Sequence, residues 1–529
     1  MRTAGGVDPL IERGRGARSW RWLALALAAP ALALAQQTPS GTPSSGPPAA
    51  PVPATGAPAA SVPGAGLPGV VLPSASLLGA EAAGLTLAPA NYTLYGGSAG
   101  LGETDDVNLS SPHPKAQTLT VATLMFDVVR SGTWLDLNTL GNFSDIDYLE
   151  HAYSNQVLGS FDGLANLKLW SNHLTWLVRD DYGDAEINPL EQTTPNNIQR
   201  LNDFSTGPDL KLEPTRTIFV GLQALYSRIN YQTSPFDGQT GSGAFTIGHR
   251  FSALASISLV GQVQQLRFDN RLVNTNYQVR ESYADYNLIG ARTTVDLQAG
   301  VAQADDVGTW KTSPRLRLAL TRSVTPFSTV TLNGGREYFN AADGLSDLTS
   351  GAAGGIPIGP ATQTSANALR TYGNGGWQFQ RLRTTIGLTG GWEENQYDRQ
   401  RLFNYSRANV GLHLGRQLTP RLSANISGSE NHYDYLNQGF SSDFGTAGGA
   451  LVYHLSESVV LYGRYDHTFR STSGEAKGFG YDENRVFLMI GYYPHSSGTV
   501  PGATGMPGMP GMPGGGGVAP GGGGSGPMP

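Results

Sequence analysis

Residues 253–264 read Ala-Leu-Ala-Ser-Ile-Ser-Leu-Val-Gly-Gln-Val-Gln, and this stretch decides the fold class. Ala255, Ile257, Leu259, Gly261 and Val263 occupy every second position, and the positions between them carry mainly Ser and Gln. Successive side chains of a β-strand point to opposite faces of the sheet. The stretch therefore predicts a strand with one apolar face and one face suited to water.

The same alternation recurs along most of the chain, in segments of ten or more residues. A soluble sandwich also alternates, but its strands are usually five or six residues long, whereas tilted membrane strands are longer. Aromatic residues near segment ends predict interfacial girdles: Tyr338, Trp392, Tyr462 and Phe469. Further apolar faces are formed by Val295, Leu297, Ala299 and Val301, by Leu316, Leu318 and Leu320, by Ala408, Val410, Leu412 and Leu414, and by Val486, Leu488, Ile490 and Tyr492.

Short and long connections alternate between these segments, which is the pattern of short periplasmic turns and long external loops. The count of turns and links predicts an all-β, transmembrane, antiparallel up-and-down β-barrel of roughly 18–20 strands, with both ends of the barrel domain in the periplasm. The short turns are Glu213–Thr215, Ser323–Pro326, Leu418–Pro420 and Ser456–Ser458, and the long links include Asp180–Asn202, Asn340–Thr364 and Arg470–Gly480.

Four regions follow from composition. Residues 1–35 resemble a cleaved signal peptide, with an Arg-rich start, an apolar run from Trp22 to Leu34 and a small-x-small site ending at Ala35. Residues 36–89 are rich in Pro, Ala and Gly and predict a disordered periplasmic linker. Residues 90–494 form the barrel, and residues 495–529 form a disordered Gly/Pro/Met-rich tail. The predicted location is the outer membrane of a Gram-negative cell.

The overall composition excludes several classes of protein. Only 14% of residues are charged, against roughly 25% in ordinary soluble domains. The formal net charge of -6 comes without a basic stripe, which argues against nucleic-acid binding. There is no cysteine, so disulfides, thiolate metal ligands and thiol nucleophiles are ruled out.

Several motifs resemble the outer-membrane β-barrel proteins associated with PEP-CTERM and exosortase systems. They are Thr104–Leu109, Thr194–Asn197 with Phe204–Leu210, Gly335–Glu337 and Glu483–Leu488. The resemblance implies a link to exopolysaccharide production and surface assembly. This sequence departs from the family pattern in its tail beyond Pro494, because related barrels end on an aromatic strand. The expected partners are outer-membrane lipid, the barrel assembly machinery and polysaccharide export components, with no nucleic acid.

The polar faces carry arginines that we expect to line the lumen, and two roles for them remain open. Fixed guanidinium charges in a confined pore attract anions. Alternatively, each arginine pairs with a lumenal acid such as Asp296, Asp466 or Glu483 and holds the wall together. The predicted lumen-lining residues are Arg315, Arg317, Arg407, Arg464 and Arg485.

No residue pattern predicts an enzyme, a metal site or a cofactor. His151 and Ser154 faintly resemble the His-x-Ser stretch of outer-membrane phospholipases, but the spacing is one residue longer and places them on opposite faces of a strand. His495–Gly498 is a weaker example beyond the last strand. Asp180 and Asp181, with Asp184 and Glu186 nearby, offer oxygen ligands for Ca²⁺ in a predicted loop, although acid-rich loops are usually solvated.

Two functions therefore remain. The first is a pore or export component with an open lumen. The second is a non-conducting structural or adhesive surface barrel, closed by an inward-folded loop such as Asn340–Thr364. Barrel architecture alone does not choose between them.

Overall fold

The computed structural model describes residues 91–110, 113–170, 173–187, 194–270, 274–306, 308–339, 367–397, 401–474 and 480–494. The predicted signal peptide, linker, C-terminal tail and Asn340–Thr364 loop lie outside the described residues. The described residues contain no helix that is both long and apolar enough to cross a membrane.

Twenty antiparallel strands make up the described chain, and each pairs with the next along the sequence. Two short 3-10 turns, Pro195–Asn197 and Arg401–Phe403, lie in the connections. The strands are β1 Asn91–Thr104, β2 Gln117–Ser131, β3 Leu135–Tyr148, β4 Gln156–Trp170, β5 Leu174–Glu186, β6 Ile198–Leu212, β7 Ile218–Tyr231, β8 Gly238–Arg250, β9 Ala255–Phe268, β10 Tyr277–Ile289, β11 Thr293–Asp306, β12 Thr309–Thr325, β13 Ser328–Phe339, β14 Ala368–Arg381, β15 Thr384–Tyr397, β16 Tyr405–Gln417, β17 Leu422–Tyr435, β18 Phe440–His454, β19 Val459–Thr472 and β20 Tyr481–Tyr492.

The sheet closes on itself where the first strand meets the last. Residues 97–104 of β1 pair antiparallel with residues 485–492 of β20, with Gly97 opposite Tyr492 and Thr104 opposite Arg485. Closure satisfies the backbone hydrogen bonds of both edge strands, which is a requirement for sheets in lipid. The structure confirms the predicted all-β antiparallel barrel and fixes the strand count at 20.

Alternation along the strands separates two faces, as predicted. Leu259, Leu316 and Leu488 are 62%, 49% and 60% exposed, whereas their neighbours Arg315 and Phe487 are 8% and 5% exposed. The apolar residues point outward and their neighbours point inward. An exposed aliphatic surface of this extent around a closed barrel is the face that a bilayer covers.

The aromatic residues only partly follow the predicted girdle. Trp392 is outward-facing and 43% exposed, but Tyr462 is 4% exposed and points inward, where its hydroxyl donates to Ser98 Oγ at 2.9 Å. The prediction for Tyr462 was wrong because this strand carries large side chains on both faces. A row of outer-face aromatic rings that the sequence reasoning missed runs across β2 to β5 through Phe126, Phe143, Phe161 and Tyr182.

The connections between strands differ in length between the two ends of the barrel, and two of them differ from their predicted bounds. Links at the end that holds the start of β1 span two to five residues, whereas links at the opposite end span two to 28. The predicted link Asp180–Asn202 shrinks to residues 187–197, because β5 and β6 continue pairing as far as Glu186 and Ile198. The predicted turn Ser323–Pro326 is also displaced, since β12 runs to Thr325 with an irregular register there.

Candidate functional site: the inner wall of the barrel

On the inner wall between β10 and β12, the predicted lumen residue Arg315 contacts three side chains. Arg315 is 8% exposed and forms an ion pair with Glu281. Its Nη2 donates to Gln298 Oε1 at 2.9 Å, and its guanidinium carbon lies 4.1 Å from the centroid of the Tyr283 ring. The sequence reasoning offered Asp296 as an acid partner, but the ion pair goes to Glu281 on β10 instead.

Arg317 lies on the same inward face, two residues along β12. It stands opposite Gln298 on β11 and Gly335 on β13. The carboxylates of Asp285 and Asp296 are within electrostatic range of its guanidinium. Arg317 is therefore part of a local group of opposite charges.

Arg407 on β16 belongs to a second group. Its Nε lies 3.3 Å from Glu393 Oε1, and the same oxygen accepts a hydrogen bond of 3.0 Å from the Tyr405 hydroxyl. Asn395 Nδ2 donates to the Tyr405 hydroxyl oxygen at 2.7 Å. The acid partner Glu393 comes from the neighbouring strand β15 and was not foreseen from the sequence.

Arg464 and Arg485 pair with two of the three acids that the sequence offered as partners for the arginines, Asp466 and Glu483. Arg464 Nε lies 2.6 Å from Asp466 Oδ2, and Arg485 Nη2 lies 3.3 Å from Glu483 Oε2. Glu483 also accepts a hydrogen bond of 2.6 Å from Thr104 Oγ1, across the seam between β1 and β20. Each partner is two residues away on the same strand, so the two side chains share the inward face.

The ion pairs of Arg315, Arg407, Arg464 and Arg485 favour a structural role for these arginines over an anion-attracting ladder. A guanidinium compensated by a carboxylate contributes little net charge to a pore. Removing one member of a buried pair leaves an uncompensated charge, which costs far more than the pair itself contributes.

The inner face is not uniformly polar, contrary to expectation. Across β2 and β18 to β20 it carries an apolar patch whose members are all at most 5% exposed. The sequence did contain a signal for this patch: Phe487 and Met489 are apolar and alternate with the outward residues of β20. The members of the patch are Val121, Met125, Val452, Val460, Phe487 and Met489, and they belong to a larger buried cluster that extends to β3 and β4.

The first part of the connection between β1 and β2, residues 105–110, folds into the mouth of the barrel. Val107 joins the apolar patch, and Leu109 packs against Phe444 and Tyr481, two inward-facing rings. Leu109 has a φ of 51°, which is unusual for a residue with a bulky side chain. Asp106 holds this turn by accepting hydrogen bonds from Ser110 N at 2.9 and 3.1 Å, and its burial raises the pKa of its carboxyl group.

The acidic residues considered as Ca²⁺ ligands do not lie in a loop, because Asp180, Asp181 and Asp184 are on β5. Asp181 pairs with Arg179 at 2.7 Å, and Asp180 accepts a hydrogen bond of 2.7 Å from an asparagine on β6. Asp184 accepts one of 2.6 Å from a backbone amide of β4. The described residues contain no group of three or more His, Asp or Glu side chains placed to hold a metal ion.

His151 and Ser154, considered above as a catalytic base and nucleophile, lie in the connection between β3 and β4. His151 adopts a φ of 56°, and its backbone amide donates to Tyr148 O at 2.8 Å. His151 and Ser154 are not joined by a hydrogen bond in the described part of the chain. His495–Gly498 lies outside the described residues.

Comparison with known proteins returned no matching family model and no matching curated protein. Among solved structures, the siderophore receptor PirA of Acinetobacter baumannii aligns at 9% identity and a TM-score of 0.44, covering 77% of this chain and 81% of the receptor. A ferric enterobactin receptor of Pseudomonas aeruginosa aligns at 10% identity and 0.40, covering 77% and 81%. The ferric citrate transporter FecA aligns at 9% and 0.38, covering 77% and 79%. Similarities this distant assign no function.

Proposed function

We propose that this chain is an outer-membrane barrel of a Gram-negative envelope that conducts hydrophilic solutes. The main support for this proposal is that the closed 20-stranded sheet has an exposed aliphatic outer face and an inner face with polar, ion-paired side chains. A barrel of this strand number encloses a space wide enough for water and solutes. The inner arginines reinforce that space rather than select ions.

The proposed cargo is a surface polysaccharide or a related exported product. Support comes from the resemblance of Thr104–Leu109 and Glu483–Leu488 to exosortase-associated barrels, and from hydroxyl and amide side chains on the inner wall that suit a sugar chain. Export through a cleaved signal peptide, insertion by the barrel assembly machinery and contact with polysaccharide export components belong to the same proposal.

A non-conducting surface barrel is the second candidate, and two observations favour it. The connection between β1 and β2 enters the mouth through Val107 and Leu109, and the apolar inner patch narrows the hydrated part of the wall. In that case the external connections carry the function.

Single-channel recording in a planar bilayer separates the two candidates. The refolded full chain is expected to give steady unit conductance, with its heat-modifiable gel shift as the folding control. Folded protein that remains silent at every applied voltage would overturn the conduit and favour the surface barrel.

Replacing Leu109 with Asp is expected to increase the unit conductance. The ionised side chain cannot stay packed against Phe444 and Tyr481, because a buried unpaired carboxylate is strongly disfavoured. The connection then leaves the mouth and widens the path. The exposed Leu149 at the same end provides a matched control, because its replacement by Asp removes no packing inside the mouth. Equal conductance in both variants would show that residues 105–110 do not restrict the path.

A further inference from the structure

Charged side chains on the outer face are unevenly distributed at the end of the barrel that carries the longer links, with arginines concentrated on one side. On one side, β6, β7, β9 and β10 contribute arginines, with Asp184 on β5 and Asp305 on β11 beside them. On the other side, β1, β3, β17 and β20 contribute carboxylates. This asymmetry is unrelated to the inner wall. The arginines are Arg200, Arg228, Arg267 and Arg280, and the carboxylates are Glu103, Asp145, Glu430, Asp434 and Asp482.

Among the described residues, two of these arginines have no carboxylate within ion-pair distance. Arg228 is neutralised by Asp269, whose Oδ2 lies 2.5 Å from Arg228 Nη2. Arg267 and Arg280 are exposed and form no ion pair among the described residues. Each is instead oriented by a glutamine on its own strand: Nη2 of Arg267 donates to Gln265 at 3.1 Å, and Nη2 of Arg280 donates to Gln278 at 3.2 Å.

The strand register brings the two guanidinium groups into one patch. Gln265 on β9 stands directly opposite Gln278 on β10, so the two glutamines that orient the arginines are cross-strand neighbours. Gln303 lies opposite Arg280 on the other side, and Gln239 lies opposite Arg267. Asp305 on β11 stands opposite Gln278, so the patch offers two oriented guanidinium groups among amide groups, with one carboxylate at its edge.

The patch borders the apolar band. Val263 stands opposite Arg280 and is 41% exposed, and Val301 on β11 is 51% exposed. The Trp310 ring lies under Arg280, with its centroid 4.2 Å from the guanidinium carbon. Trp at this height is typical of the membrane–water interface, and stacking leaves the edge of the guanidinium available to an anion.

We propose that Arg267 and Arg280 bind the phosphate groups of a phosphorylated lipid in the outer leaflet, with its acyl chains against Val263 and Val301. Guanidinium groups bind phosphate through paired hydrogen bonds, and basic patches beside an apolar membrane surface recognise anionic headgroups. The proposal rests on the proposed outer-membrane location and on no property of the lumen.

Binding of bis-phosphorylated lipid A to the full chain, refolded in neutral detergent, tests this proposal by titration and by lipid retention in native mass spectrometry. The double variant Arg267→Gln, Arg280→Gln is expected to bind roughly a hundredfold more weakly, since each charged hydrogen bond to phosphate contributes about tenfold. The control variant Glu103→Gln, Asp482→Asn removes two outer-face charges on the opposite side and is expected to bind at least as well as wild type.

Two results would overturn the proposal directly: unchanged lipid A binding by the double variant, or equal binding of dephosphorylated lipid A by the wild type. Equally tight binding of inorganic phosphate alone would also overturn it, because it would indicate a simple anion site. Conductance of the double variant is expected to match wild type. A silent wild-type barrel that still binds lipid A through these arginines would count against the conduit and leave the lipid site standing.

Discussion

Replacing Gly100 with Val is expected to prevent the barrel from closing. A Cβ at this position would collide with the carbonyl oxygen of Leu488 and with Cα of Met489 at 2.6 Å, and backbone atoms cannot move aside as a flexible side chain can. Overpacking a well-packed site costs about 1–3 kcal/mol, and a backbone collision at the closing seam exceeds that range. The measurement is the heat-modifiable gel shift of the refolded protein, which the variant should lose.

Gly463 provides the matched control, because it lies on the neighbouring β19 and a Cβ there has no neighbour within 4 Å. Gly463→Val should refold with a normal gel shift. If Gly100→Val refolds as efficiently as Gly463→Val, the strands β1 and β20 do not approach each other in the way described.

Replacing Arg315 with Met is expected to destabilise the barrel by about 3–5 kcal/mol. The substitution leaves Glu281 buried without its ion-pair partner, and it also removes the hydrogen bond to Gln298 and the contact with Tyr283. Urea unfolding in detergent, followed by tryptophan fluorescence, measures the change. The double variant Glu281→Leu, Arg315→Met should recover most of the loss, because an apolar pair replaces a buried ion pair at little cost.

Arg322→Met serves as the control for that series. Arg322 lies on the same strand but is exposed, and substitutions at such positions usually change stability by less than about 0.5 kcal/mol. If Arg315→Met is as stable as Arg322→Met while anion selectivity falls, the arginine acts on permeating ions and the wall interpretation is wrong.

The fold was accessible from the sequence because alternation is a local signal. Residues 255–264 lie on β9, and Ile257, Leu259 and Val263 face outward as predicted. Strand ends were less accessible: β5 and β6 continue pairing for several residues into the predicted link Asp180–Asn202. The polar residues there look like loop residues, but cross-strand hydrogen bonds hold them in the sheet.

Partners of the inner arginines were predictable only where they lie on the same strand. Asp466 and Glu483 are two residues from Arg464 and Arg485, so the period of a strand brings each pair together. The partner of Arg315, by contrast, is 34 residues away on β10. Finding it requires the register of three strands, which a single sequence does not specify.

The inner apolar patch was missed for a related reason. Phe487 and Met489 alternate with Val486 and Leu488, so β20 is apolar on both faces and its pattern alone does not assign the inward side. The inward path of residues 105–110 is also a tertiary feature, since it depends on Leu109 contacting Phe444 and Tyr481 from distant strands.

The central claim is that β1 and β20 close a 20-stranded barrel in the membrane, and one disulfide tests it most directly. Ala99 and Ile490 are paired across the seam on the outer face, and the chain has no cysteine of its own. Paired positions in a sheet fall within the Cα separation that a disulfide requires. We expect Ala99→Cys, Ile490→Cys to cross-link on oxidation in outer-membrane fractions, whereas the offset pair Ala99→Cys, Val486→Cys should not. Equal cross-linking of both pairs, or of neither, would contradict the closed barrel.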